Sequence, residues 1–144
     1  MLIGPADDGV YIGKPGVPGA WFARYGGAPK QVVDHGRWDS YSNGVLWGWD
    51  GSGKLLRFSV SIGAESVWGS KVNGWIPGFD GEGQPFVIVM GVLWLAHPDG
   101  SFTLIYDGGS NDYYVGGQVI TDAHGSWFGV GGGRVGTPGH GFYL

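Results

Sequence analysis

The chain contains no cysteine, and only two of its 144 residues are methionine. The missing thiol excludes disulfides and thiolate-held metal sites. It fits a reducing compartment without requiring one, because an exported chain can also do without cysteine. Charge is scarce as well: eight Lys and Arg stand against twelve Asp and Glu, a net −4. The cations are scattered singly, so no basic stripe exists to neutralise a run of phosphates, which argues against nucleic acid as a partner. No run of apolar residues is long enough to span a bilayer, and the opening MLIGPADDGV has neither a basic n-region nor an apolar h-region. These absences lead us to expect a soluble chain without membrane insertion or targeting signal, and they leave both the extracellular space and a virion open as its location.

Helix is excluded by a different shortage. The longest stretch free of Gly and Pro is Lys54 to Ile62, nine residues, shorter than a typical helix of about 11. Glycine supplies 32 residues and proline 8, which approaches the composition of low-complexity chains. Eight Trp, seven Tyr and seven Phe with only 14% charged residues nevertheless offer too much buriable area for a solvated coil. The length suits one domain, 1–144. Short β-branched or aromatic runs bounded by turn residues predict about ten strands: 10–12, 20–25, 45–49, 54–62, 66–68, 85–90, 92–96, 101–107, 113–115 and 126–130.

Asp50-Gly51-Ser52-Gly53 and Pro98-Asp99-Gly100 are the clearest turns, and each predicts a β-hairpin because Gly supplies the positive φ that tight turns require. The hairpins carry an internal repeat. Gly44-Val45-Leu46-Trp47 recurs as Gly91-Val92-Leu93-Trp94 at an offset of 47, and Gly53 falls on Gly100 in the same register. This GVLW…DGS pattern, over 44–60 and 91–107, resembles blades of the streptogramin-lyase-like β-propellers. The resemblance implies an all-β fold of antiparallel hairpin repeats of about 47 residues, with self-association or a larger assembly to complete a ring. A β-trefoil or a sandwich is the alternative. The final Gly141-Phe142-Tyr143-Leu144 could add a strand that pairs with the N-terminal one.

Trp47 and Trp94 occupy matching repeat positions, which core packing explains most simply. Trp38, Trp49 and Trp75 lie outside the match beside Asp39, Asp50 and Asn73. An exposed indole next to a carboxylate or amide is suited to stacking on a sugar ring while hydrogen-bonding its hydroxyls. The stretch Gly108 to Tyr114, with Asn111, Asp112 and Tyr113, has the small, polar and tyrosine-rich mixture of adaptable binding loops. Candidate ligand-binding residues are therefore Trp38, Trp49, Asp50, Trp75, Asn111, Asp112 and Tyr113, each of which can also be read as ordinary packing or loop.

The chemistry of bond-making is poorly represented. His35, His97, His124 and His140 are far apart, lack zinc-site spacing and read as turn residues. Asp34-His35 suggests an acid–base pair, but no serine stands in a nucleophile-elbow context. Asp80-Gly81-Glu82-Gly83-Gln84 reads as an acidic turn that lacks the length and bidentate Glu of an EF-hand loop. The GxGxxG-like spacing at 129–136 has no helix to follow it, so the phosphate-cradling mechanism fails. We therefore expect no cofactor, no metal and no enzymatic activity. The leading expectation is a module that recognises carbohydrate or another cell-surface ligand, a glycan or protein surface, through aromatic hairpin loops, as a homo-oligomer or part of a larger assembly. The alternative is a structural or receptor-contact component of an assembly such as a phage virion or tail.

Overall fold

The computed structural model describes residues 1–70 and 74–107, and the backbone of 119–122, 125–130 and 140–143. Among these residues the chain is entirely β. Its strands are β1 (Leu2–Ala6), β2 (Gly9–Lys14), β3 (Val17–Arg24), β4 (Lys30–Val33), β5 (Arg37–Ser42), β6 (Val45–Trp49), β7 (Lys54–Ser59), β8 (Ala64–Ser70), β9 (Trp75–Phe79), β10 (Pro85–Val89), β11 (Val92–Ala96), β12 (Phe102–Asp107), β13 (Val119–Asp122), β14 (Gly125–Val130) and β15 (His140–Tyr143). They form three four-stranded antiparallel meanders, β1–β4, β5–β8 and β9–β12, and a three-stranded one, β13–β15. The chain groups into two compact units, Met1–Ser70 and Lys71–Leu144. The expected strand at 113–115 lies outside the described residues, and β15 pairs with β14, the partner that the sequence reading had not given it.

In unit 1 the two sheets share a core. Ile3, Tyr11, Ala20 and Val33 of the first sheet cluster with Trp38, Leu46 and Leu56 of the second. Tyr11 stacks on Tyr41 across the boundary, with ring centroids 4.5 Å apart, and is tilted against Phe22 at 5.0 Å. β1 lies against β5, an approach close enough that a Cβ at Gly4 would stand 3.2 Å from that of Tyr41. The interior strands β6 (VLWGW) and β10 (PFVIV) are buried along most of their length. This explains why they read as continuous apolar runs without period-2 alternation. In unit 2, Phe86, Ile88 and Leu93 form the corresponding core, and β9 lies against β13.

The first strand of each described four-stranded sheet carries a bulge against the second. Two steps of β1 from Leu2 to Gly4 oppose one step of β2, and two steps of β5 from Trp38 to Ser40 oppose one of β6. Three steps of β9, Trp75 to Gly78, oppose two of β10. Such an extra residue bends a strand locally, and the last strand of each of these sheets, β4, β8 and β12, carries one as well.

The 47-residue sequence repeat is out of phase with the sheets. Its first copy spans the second and third strands of one meander, β6 and β7, whereas its second spans the third and fourth strands of the next, β11 and β12. What recurs is a hairpin and its turns. Asn43-Gly44 and Met90-Gly91 each open the motif with two residues at positive φ, 48° and 81° in the first, 50° and 77° in the second, the type I′ geometry that matches strand twist. Both expected hairpins form, β6 with β7 and β11 with β12. In the Asp50 and Asp80 turns the Asp Oδ1 accepts the backbone N–H groups two and four residues on, at 2.8–2.9 Å. His97 holds the equivalent place in the third such turn, where its N–H donates to Ser101 and Gly100 N–H donates back, each at 3.0 Å.

Gly48 is the tightest point of the second sheet. A Cβ there would meet the Arg37 carbonyl oxygen and stand 2.8 Å from Trp38 Cα and 2.9 Å from its ring. Gly48→Ala is therefore expected to destabilise the fold by about 1–3 kcal/mol, the usual cost of overpacking. Gly51→Ala, at a position with nothing within 4 Å, should unfold within about 0.5 kcal/mol of the parent. Urea denaturation followed by tryptophan fluorescence compares the two, and equal midpoints would contradict this account of Gly48.

Candidate functional site

The proposed indole platforms separate once they are placed. Trp38 and Trp49 are each only 1% exposed, so neither ring face is open to a ligand, contrary to their reading as stacking surfaces. The physical reason lies in their partners. Trp38 Nε1 donates to the His35 carbonyl at 2.7 Å, and its ring packs edge-on to Phe58 at 6.1 Å. Trp49 Nε1 donates to Asp39 Oδ2 at 2.9 Å. The carboxylate that neighbours Trp38 in sequence thus serves Trp49 across the β5–β6 ladder. Burial pushes the Asp39 carboxyl above its ordinary value, against the opposing pull of Arg37 and the Trp49 N–H.

Asp50 is occupied in bracing its own turn, where Oδ1 also accepts from Ser52 Oγ at 2.8 Å. Those hydrogen bonds hold its carboxyl below the ordinary carboxylate value. Trp75, at the start of β9, is 41% exposed and is the one of the three tryptophans with a ring accessible to solvent. Asn111, Asp112 and Tyr113 lie outside the described residues. Of the pair read as core, Trp47 is buried and Trp94 half-buried. Trp47 packs edge-on to Trp68 at 4.8 Å.

A cleft that the sequence reading did not single out opens in unit 1, between the β1–β2 and β5–β6 turns. It measures about 610 Å³ and is lined by Pro5, Ala6, Asp7, Tyr41, Ser42, Asn43 and Gly44, within the size range of small-ligand clefts. Meander topology places the β3–β4 and β7–β8 turns at the same end of their sheets as these two. Each cleft turn is braced by that neighbour. Tyr25 N–H donates to the Asp8 carbonyl at 3.3 Å and Val60 N–H to the Gly44 carbonyl at 3.0 Å. Asp8 faces Arg24 at 3.6 Å. The Asp7, Ser42 and Asn43 side chains make no hydrogen bond among the described residues, so a carboxylate, a hydroxyl and an amide are left to the cleft beside the Tyr41 ring. The signal available in sequence was the pairing of two short turns, Asp7-Asp8-Gly9 and Ser42-Asn43-Gly44. Nothing local indicated that they would meet.

No protein-family model, curated protein or solved structure matches this chain.

Two further polar clusters lie elsewhere. In unit 1 the Asp34-His35 pair forms as the sequence suggested and gains a third member: Nδ1 meets Asp34 Oδ1 at 2.9 Å, and Nε2 meets Glu65 Oε1 at 2.6 Å. Both carboxylates raise the histidine above its ordinary value of 6.5, the Asp34 hydrogen bond most of all, and His35 in turn lowers Asp34. The triad ties the β4–β5 connection to β8. In unit 2, His97 Nδ1 contacts Gln84 Oε1 at 2.7 Å and Nε2 contacts Thr103 Oγ1 at 2.6 Å. Gln84 Nε2 meanwhile donates to Asp80 Oδ2 and Glu82 Oε2, each at 3.1 Å. Both Asp80 oxygens and Glu82 Oε2 thus accept hydrogen bonds from within the loop, while Gln84 Oε1 meets His97. Among the described residues no group of three or more His, Asp or Glu side chains is disposed to hold a metal ion.

The His35 contacts make stability pH-dependent with a defined sign. The raised histidine contributes fully below its unfolded value of 6.5, and that contribution is lost as pH rises through its higher folded value. The lowered Asp34 contributes above 3.8 and loses its contribution as pH falls through the depressed folded value. The triad is therefore strongest between those two pH values. Proton NMR titration should place His35 above an ordinary histidine, and Glu65→Gln should bring it down. A His35 titration unmoved by that substitution would refute the contact.

Proposed function

We propose that this chain is a non-enzymatic binding module, built from propeller-type blades, that recognises carbohydrate or another cell-surface ligand at the turn end of unit 1. The observation that carries the reading is the braced cleft between the β1–β2 and β5–β6 turns. There a carboxylate, a hydroxyl and an amide without hydrogen-bond partners among the described residues stand beside an aromatic ring, the combination of a few directed polar groups and an apolar face that suits a polyhydroxylated ligand.

The blade part of the proposal is supported by the meanders and by which strands meet. β1 lies against β5, which also touches β2 and β3, and β9 lies against β13, so within each unit the first strands of neighbouring sheets meet. Propeller blades do the same, with their first strands surrounding the central channel.

Large exposed apolar side chains at turn tips favour the second reading, a component of a larger assembly. Tyr25 and Ile62 stand exposed on the turns that flank the cleft, and Met90, 96% exposed, occupies the β10–β11 turn. A protein surface that covers them would gain apolar burial.

Two measurements separate these readings. On an array of immobilised glycans the labelled protein should be retained by at least one glycan class, and its native mass should be a discrete small oligomer that raises avidity. Failure to bind any glycan, together with solubility only alongside other proteins, would replace the module reading with the assembly one.

A further inference from the structure

Resting on that reading of the unit 1 cleft, we infer that its ligand is a neutral sugar residue, engaged through its hydroxyls by Asp7, Ser42 and Asn43, and that saccharides bearing a carboxylate are rejected.

The charge of the cleft sets this selectivity. Asp7 is the one carboxylate among the lining residues, which include no Lys, Arg or His, and its side chain has no counter-charge among the described residues. The adjacent Asp8 faces the Arg24 guanidinium at 3.6 Å. An anionic group entering the cleft would meet an uncompensated carboxylate, and two like charges a few ångströms apart repel enough to cost about tenfold or more in affinity. A neutral sugar meets no such penalty. Its hydroxyls can donate to the acceptor-only Asp7 carboxylate and both donate to and accept from the Ser42 hydroxyl and the Asn43 amide.

Geometry favours readiness over adaptation. Asn43 and Gly44 form a two-residue turn with both residues at positive φ, and Gly44 is braced by the Val60 N–H at 3.0 Å. The Asp8 carbonyl is held by the Tyr25 N–H, and Tyr41 is stacked on Tyr11. Little ordering is left for the ligand to impose. The exposed Trp75 belongs to the other unit and has no part in this site.

The test is an amide chemical-shift titration of the isotope-labelled full chain. The probes are methyl glycosides of glucose, galactose and mannose, compared with glucuronate and N-acetylneuraminate. A neutral glycoside should shift the amides of Asp7, Tyr41, Asn43 and Gly44, with at least tenfold weaker binding of both acids. Asp7→Asn should shrink that gap severalfold. Asn43→Gly removes the amide side chain but places glycine at a positive φ where it is at home, so it should weaken binding about tenfold or more while leaving thermal unfolding unchanged or raised.

Equal binding of neutral and acidic sugars, or a gap that Asp7→Asn leaves intact, would overturn the charge selectivity while leaving a sugar-binding module. Shifts centred on Trp75 with none at the cleft would overturn the site. If no saccharide or glycan array produces a response, the module reading falls with it.

Discussion

Unit 1 depends on the space that Gly48 leaves for Trp38. A side chain at Gly48 would collide with the Arg37 carbonyl and the Trp38 ring, so the strand pair β5–β6 closes only because that position is bare. The indole that fills the space is buried, and its N–H is satisfied by the His35 carbonyl. It joins the core shared by the first two sheets. A buried tryptophan contributes a large apolar area, but it does so only when its one polar atom has a partner. The His35 carbonyl supplies that partner, and the His35 side chain fastens the same connection to Glu65.

The same constraint positions the cleft. With sheets one and two locked through Trp38, Tyr11 and Tyr41, β1 and β5 run side by side, and the turns that follow them face each other. The polar groups on those turns are then left over, because the ladders, the Asp8–Arg24 pair and the bracing N–H groups satisfy their neighbours but not Asp7, Ser42 or Asn43. Aromatic side chains hold the scaffold together in this fold, and the recognition chemistry proposed above falls to ordinary turn residues. The expectation from sequence placed recognition on Trp38, Trp49 and Trp75 together with Asp50 and the loop residues Asn111, Asp112 and Tyr113, and of these Trp38 and Trp49 are buried.

Which strands were legible follows from where they sit. Strands in the interior of a sheet, such as β6, β10 and β11, need apolar residues and were read correctly. The unread strands include the first of every meander: LIGPA, RWDSYS, WIPGF and VITD. The first three are polar or contain Pro and Gly. Each pairs on one side only within its sheet and three of them are bulged, so Pro5 and Pro77 fit where an interior strand would lose a ladder hydrogen bond. Local propensity therefore failed at the strands through which neighbouring sheets touch. The 47-residue repeat misled in a related way, because a hairpin with good turns is a complete local unit that can sit at either of two places in a meander.

Sequence by itself determined that this protein is all-β, where its tight turns fall and which hairpins they close. Those properties depend on breaker spacing, positive-φ glycines and short apolar runs, all of which act over a few residues. Only the tertiary structure decided which tryptophans are buried, that Asp39 serves Trp49 and Glu65 reaches His35, and that the Asp7 and Asn43 turns enclose one cleft. Each of these depends on residues from different strands or turns, and two of them join residues some thirty or more positions apart. Their meeting depends on strand register, bulges and sheet-to-sheet packing, which no local pattern encodes.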